Sequence, residues 1–171
     1  MPADADNVVG AAVEAAVETT DVAVAGYQAA PAQENALFNL FASFVISLLA
    51  SRGIALVLRD RSTLGPFRNL RLGRRHIHHF VPGIVLAFVA GAVAIVTRNE
   101  QLEPRLALLF GTGMGMTMDE AALLLELDDV YWTEEGLLGV QIGAGLVGLL
   151  GALAIGLRFL RRGEERVLPQ S

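Results

Sequence analysis

Cysteine is absent from the 171 residues, which excludes disulfides, thiolate metal ligands and a cysteine nucleophile. Lysine is absent too. All 13 basic residues are arginine, so neither a Schiff-base lysine nor a phosphate-loop lysine is available. The formal net charge of -5 provides no basic footprint for nucleic acid. Charge of either sign is scarce, at 18% of residues against about 25% in an average soluble protein, and it gathers at the two ends and in the connecting loops. Residues 1–36 contain Asp4, Asp6, Glu14, Glu18, Asp21 and Glu34 but no arginine, so the basic start of a cleavable signal peptide is missing.

What fills the chain instead is apolar: 53% of residues are hydrophobic. At about 1.5 Å of helical rise per residue, a bilayer core of about 30 Å needs roughly 20 apolar residues. Four runs approach or exceed that length, at 37–58, 80–97, 106–127 and 136–160. The pattern predicts an all-α polytopic membrane protein of the cytoplasmic (cell) membrane, with four transmembrane helices in a compact bundle. An acidic N-terminal tail (1–36) precedes it, where Val9, Val13, Ala16 and Val17 mark one face of a short amphipathic helix. A C-terminal tail (161–171) follows. The loop 59–75 holds six arginines against Asp60 alone, which places it in the cytoplasm and the N-terminus outside. Four crossings also put the tail outside, against the preference of Arg158, Arg161, Arg162 and Arg166. A re-entrant third segment would relieve that conflict, although its 22 residues suffice for a full crossing.

Small residues recur every four positions at Gly83, Ala87 and Gly91, at Gly111 and Gly115, and at Ala144, Gly148, Ala152 and Gly156. Such stripes let helix backbones approach closely in lipid, either within the chain or between copies in a homo-oligomer or larger membrane complex. Two stripes run into polar groups on the same face: Gly115 leads to Asp119 and Glu126, and Gly83 leads back to His79 and His76. In the four-span arrangement these groups converge near the cytoplasmic end. Arg52 of the first span lies at a similar depth to Asp119 and Glu120.

Carboxylates inside a membrane are costly and normally find partners within the bundle. Two readings of this cluster follow. In one, His79 and His76 with Glu120, Glu126 and Asp119 bind a divalent metal (zinc, manganese or iron). Glu120 or Asp119 then serves as general base of a membrane-embedded metal-dependent hydrolase. In the other, Arg52 pairs with Asp119 or Glu120 as a structural ion pair, and the protein is a non-catalytic helical subunit or a small cation- or proton-conducting protein. No zinc-hydrolase spacing of the H-E-x-x-H type is present.

Two segments also carry a resemblance. His76-Ile77-His78-His79-Phe80-Val81-Pro82-Gly83 resembles an H-x-H-H-x-x-x-G element. Asp119-Glu120-Ala121-Ala122-Leu123, with Asp129-Val130-Tyr131-Trp132, resembles D-E-x-A-L and D-V-Y-W elements. Both are similar to elements of a family of small, uncharacterised prokaryotic integral membrane proteins. The resemblance spans roughly residues 70–136 and implies that the two segments belong together in a membrane protein, without implying an activity.

Overall fold

The computed structural model describes residues 3–60, 71–72, 75–76, 80–119 and 134–167. Among them the chain is helical apart from short connections at 29–31 and 98–102 and one antiparallel pair of two-residue strands. The helices are α1 (Ala3–Gln28), α2 (Ala32–Asp60), α3 (Phe80–Thr97), α4 (Glu103–Asp119) and α5 (Glu134–Val167). Strands β1 (Arg71–Leu72) and β2 (Arg75–His76) precede α3. Helix α3 coincides with the run 80–97, while α2 and α5 enclose the runs 37–58 and 136–160 and extend beyond them. Of the run 106–127, the part up to Asp119 lies in α4 and the rest lies outside the described residues. Two helical stretches have the length and composition of membrane spans, Ala32–Ile54 and Val140–Val167, and Val81–Thr97 is apolar but shorter.

The helix breaks follow from local chemistry. Pro31 sits between α1 and α2, where its ring disfavours a helical conformation at Ala30. Its carbonyl then accepts the first bonds of α2, from the N–H groups of Glu34 (3.0 Å) and Asn35 (3.1 Å). Helix α3 ends at Arg98, a non-glycine residue with φ of 44°, the left-handed conformation common just beyond helix C-termini. Asn99 shapes the following turn, its side-chain oxygen accepting from the Gln101 N–H at 2.9 Å.

Helix directions follow from which residues meet. Asn39 contacts Pro104 and Arg52 contacts Asp119, so α2 and α4 run parallel. Gly83 lies against Gly113 and Thr117, and Gly91 against Phe110, so α3 is antiparallel to α4. Helix α5 is antiparallel to α2, with Gln141 beside Arg52 and Arg162 beside Glu34. The extended contacts run in the order α3, α4, α2, α5, α1. Among the described residues this is a succession of pairs, with α3 and α5 on opposite sides of the central α2–α4 pair.

That central pair depends on the missing side chains of α4. A β-carbon on Gly115 would stand 2.5 Å from the Phe44 carbonyl oxygen and 2.9 Å from the Leu48 nitrogen, and Gly111 is pressed on Leu40 and Ser43 in the same way. Gly113, two residues round from each and so on the opposite face, meets the Gly83 carbonyl oxygen and the Ala87 nitrogen. Three glycines at alternate positions therefore let α4 be approached closely from two sides. On α5, Gly148 and Gly151 receive the rings of Phe44 and Phe41.

The N-terminal segment differs from the short helix expected there. Helix α1 is 26 residues long and its last turns pack on α5, with Gly26 against the Phe159 backbone and Gly163 against that of Val22. Each glycine accommodates the other helix, so neither signals the contact alone. Tyr27, Phe38 and Phe159 complete it as an edge-to-face cluster with centroids 5.1 to 6.4 Å apart, a preferred aromatic geometry. Helix α5 likewise continues through the expected C-terminal tail as far as Val167.

Candidate functional site

Three helices bring polar groups together where α4 reaches Asp119. The Asp119 side chain is 2% exposed, and the Nε of Arg52 lies 3.1 Å from its Oδ1. A further Arg52 nitrogen, Nη2, donates to the Gln141 side-chain oxygen. The Gln141 amide nitrogen in turn donates to the main-chain carbonyls of Met118 (2.8 Å) and Asp119 (2.9 Å). An amide on α5 therefore reaches the main chain of the last described turn of α4. One guanidinium and one carboxamide thus link α2, α4 and α5. Arg52 keeps 43% of its side chain exposed, consistent with a long side chain whose head lies near an interface.

The Gly111–Gly115 stripe that ends at Asp119 faces α2, because those glycines meet Leu40, Ser43, Phe44 and Ser47. The stripe from Gly83 meets α4 on its other side, at Gly113 and Thr117. Asp119 is therefore aligned with Arg52 by the face it shares with the glycines, as the ion-pair reading requires. Of the five candidate metal ligands, Asp119 is placed in this cluster. His76 lies in β2, where its backbone is paired with Arg71, four residues before α3 begins. His79, Glu120 and Glu126 lie outside the described residues. Among the described residues no group of three or more histidine and carboxylate side chains is positioned to hold a metal ion.

Gln141 is a member of this cluster to which the sequence reading assigned no role. Its signal was available: a single amide in a long apolar run must find hydrogen-bond partners when buried.

A second polar group occupies the opposite end of α2. Glu34 pairs with Arg162 at 3.0 Å and with Arg158 at 3.6 Å. The Asn39 amide donates to the Tyr27 hydroxyl and to the Pro104 carbonyl, each at 2.9 Å, and the Asn35 amide donates to the Tyr27 carbonyl at 3.0 Å. These contacts tie α1, α2, α4 and α5 at one level. Beside them, an apolar groove of about 570 Å³ opens between α2 and α3 over α4, floored by Leu40, Ala90, Gly91 and Phe110.

The outward faces are apolar. Phe88 and Val96 of α3 are 76% and 82% exposed, and Ile142, Leu146, Val147, Leu150 and Leu157 of α5 are exposed as well. Asn35, Ser47, Asp119 and Gln141 are buried. Compared with protein-family models, curated protein sequences and solved structures, the chain gives no match in any of the three.

Proposed function

We propose that the chain is a multi-pass protein of the cytoplasmic membrane in which 37–58, 80–97, 106–127 and 136–160 all cross, and that Arg52, Asp119 and Gln141 form a structural polar link among three crossing helices. In this reading it is a helical membrane subunit, and the cluster fixes helix register. The observation that carries it is the inverted distribution of polarity, with large apolar side chains outward and a paired carboxylate inward, as lipid demands. The alternating helix directions support it, since consecutive crossings must reverse. The Glu34 pairs also ease the charge conflict at the C-terminal end, because Arg158 and Arg162 are engaged there by a carboxylate.

A chain without cysteine allows a direct topology test. In intact cells, Ser62→Cys should resist an impermeant maleimide while Ser171→Cys is labelled. Protection at both positions would replace four crossings by a re-entrant third segment.

The second reading, a metal-dependent hydrolase, is favoured by one observation. Helix α4 delivers Asp119 to the same end at which α3 begins, directly after His79 and close in sequence to His76. There His76, His79, Glu120 and Glu126 would hold the ion, and a bound divalent metal would activate water for hydrolysis. Asp119 fits least well, because Arg52 already engages its carboxylate. On the structural reading, untagged detergent-purified protein supplemented with zinc, manganese or iron should hold substoichiometric metal by elemental analysis. Stoichiometric metal that is lost in His79→Ala would establish the metal centre instead.

A further inference from the structure

The apolar groove between α2 and α3 is graded in polarity along its length. Helices α2 and α4 run parallel, so Gln33 in the first turn of α2 and Glu103, the first residue of α4, stand at the same end of it. Seven residues further along each helix come Leu40 and Phe110, about 10 Å deeper at about 1.5 Å of rise per residue. Between these levels the two helices contribute Ala36, Leu37, Leu106 and Ala107. Helix α3 runs the other way, bringing Ala94 and Ile95 to the polar end and Ala90 and Gly91 to the deep one. The groove therefore has one polar mouth and an apolar body, and its volume of about 570 Å³ is that of a small-molecule site. Its flanks are open, with Leu37 50% and Ile95 74% exposed.

Such a gradient suits an amphiphile better than a helix, since a partner's transmembrane helix would lay apolar side chains against the Glu103 carboxylate. Its direction also matches a lipid. The mouth lies at the level where Asn39 meets Pro104 and Glu34 meets Arg162, which is the membrane surface in the four-crossing arrangement, and the floor points toward the bilayer centre. A phospholipid of that leaflet enters with its headgroup at the mouth and its chain over Phe110. The mouth also discriminates between headgroups. Glu103 is the one charged side chain among the described residues that line the groove. Among the described residues no arginine pairs with it, whereas Glu34 is engaged by both Arg158 and Arg162. A carboxylate accepts from an ammonium group and the neighbouring Gln33 carboxamide can donate to a phosphate oxygen, but the mouth offers no cation to a headgroup that is only negative. We infer that the groove binds an acyl chain of a phospholipid with an ammonium headgroup, phosphatidylethanolamine, with Glu103 holding the ammonium and Gln33 the phosphate. The source of the ligand rests on the membrane reading; the gradient and the lone carboxylate do not.

Native mass spectrometry of the full chain, in mild detergent containing equal amounts of phosphatidylethanolamine and phosphatidylglycerol, tests this. The phosphatidylethanolamine adduct should exceed the phosphatidylglycerol adduct several-fold, and Glu103→Gln should bring the two to parity. Ala94→Phe and Ala107→Phe fill the groove from different helices, and each should remove both adducts while circular dichroism confirms that the helices are retained. Val96→Phe, at an exposed position outside the groove, should bind as wild type does. Equal adducts in the wild type would overturn the proposal, as would a preference that survives Glu103→Gln or adducts that persist in both filled variants. Alkaline carbonate extraction of native membranes separates this inference from the reading beneath it. A chain that is released by carbonate yet still prefers phosphatidylethanolamine retires the membrane reading and supports the groove; a chain retained in the membrane without that preference does the reverse.

Discussion

Gly115→Leu should prevent the α2–α4 pair from forming. A β-carbon there would strike the Ser47 hydroxyl first and then the backbone of α2 at Phe44 and Leu48, and although a side-chain hydroxyl can turn aside, a helix backbone cannot. Relief requires the two helices to separate, which would also part Ser43 and Ser47 from the glycines they meet and draw Arg52 from Asp119. Overfilling a close-packed contact costs about 1–3 kcal/mol and sometimes more, and this site lies at the upper end because two of the three obstructing atoms are main chain. Thermal unfolding followed by circular dichroism in detergent should show a large loss of stability or no folded protein. Gly53→Leu and Gly143→Leu are the controls. Neither glycine has a neighbour within 4 Å of its added β-carbon, so both variants should unfold close to wild type; a Gly115→Leu protein as stable as these would contradict the packing described.

Removing Arg52 should have the second largest effect. Arg52→Ala withdraws a positive charge from a carboxylate that is 2% exposed and takes a donor from Gln141. Breaking a buried ion pair by deleting one member costs about 3–5 kcal/mol, and the partial exposure of Arg52 argues for the lower part of that range. Asp119→Leu should restore part of the loss in the Arg52→Ala background, since the carboxylate that needed the guanidinium is then gone. The recovered fraction, read from a double-mutant cycle in detergent, measures their coupling. Strictly additive losses would mean that the two groups do not act as a pair. Gln141→Leu should also destabilise the protein, because it removes two hydrogen bonds to main-chain carbonyls of about 1 kcal/mol each and one accepted from the Arg52 guanidinium.

Much of this arrangement was legible before any coordinates. Long apolar runs marked α2, α3 and α5, the bounds of α3 coincided with its run, and the depth of Arg52 pointed to Asp119 or Glu120, of which Asp119 is the partner among the described residues. Periodicity identifies a face but not the neighbour that the face meets. The Gly111 and Gly115 stripe could equally have served α3, and only the position of Gly113 between them divides α4 into two contact surfaces. The α1–α5 contact was illegible for a related reason. Gly26 and Gly163 are single glycines in separate helices, and their meaning exists only in the pair. For the proposed metal ligands, His79, Glu120 and Glu126 fall outside the described residues, so that part of the sequence reading rests on its chemistry alone.

The amide of Gln141 has a consequence for how the molecule is made. Helices α2 and α4 can associate through their glycines and serines as soon as both are synthesised, and Arg52 can meet Asp119 in that step. The carbonyls at Met118 and Asp119 receive their Gln141 donor only when α5, the last in chain order of the helices among the described residues, arrives. Completion of the fold is therefore registered at one locus, because an assembly intermediate lacking α5 lacks the Gln141 contacts to Arg52, Met118 and Asp119.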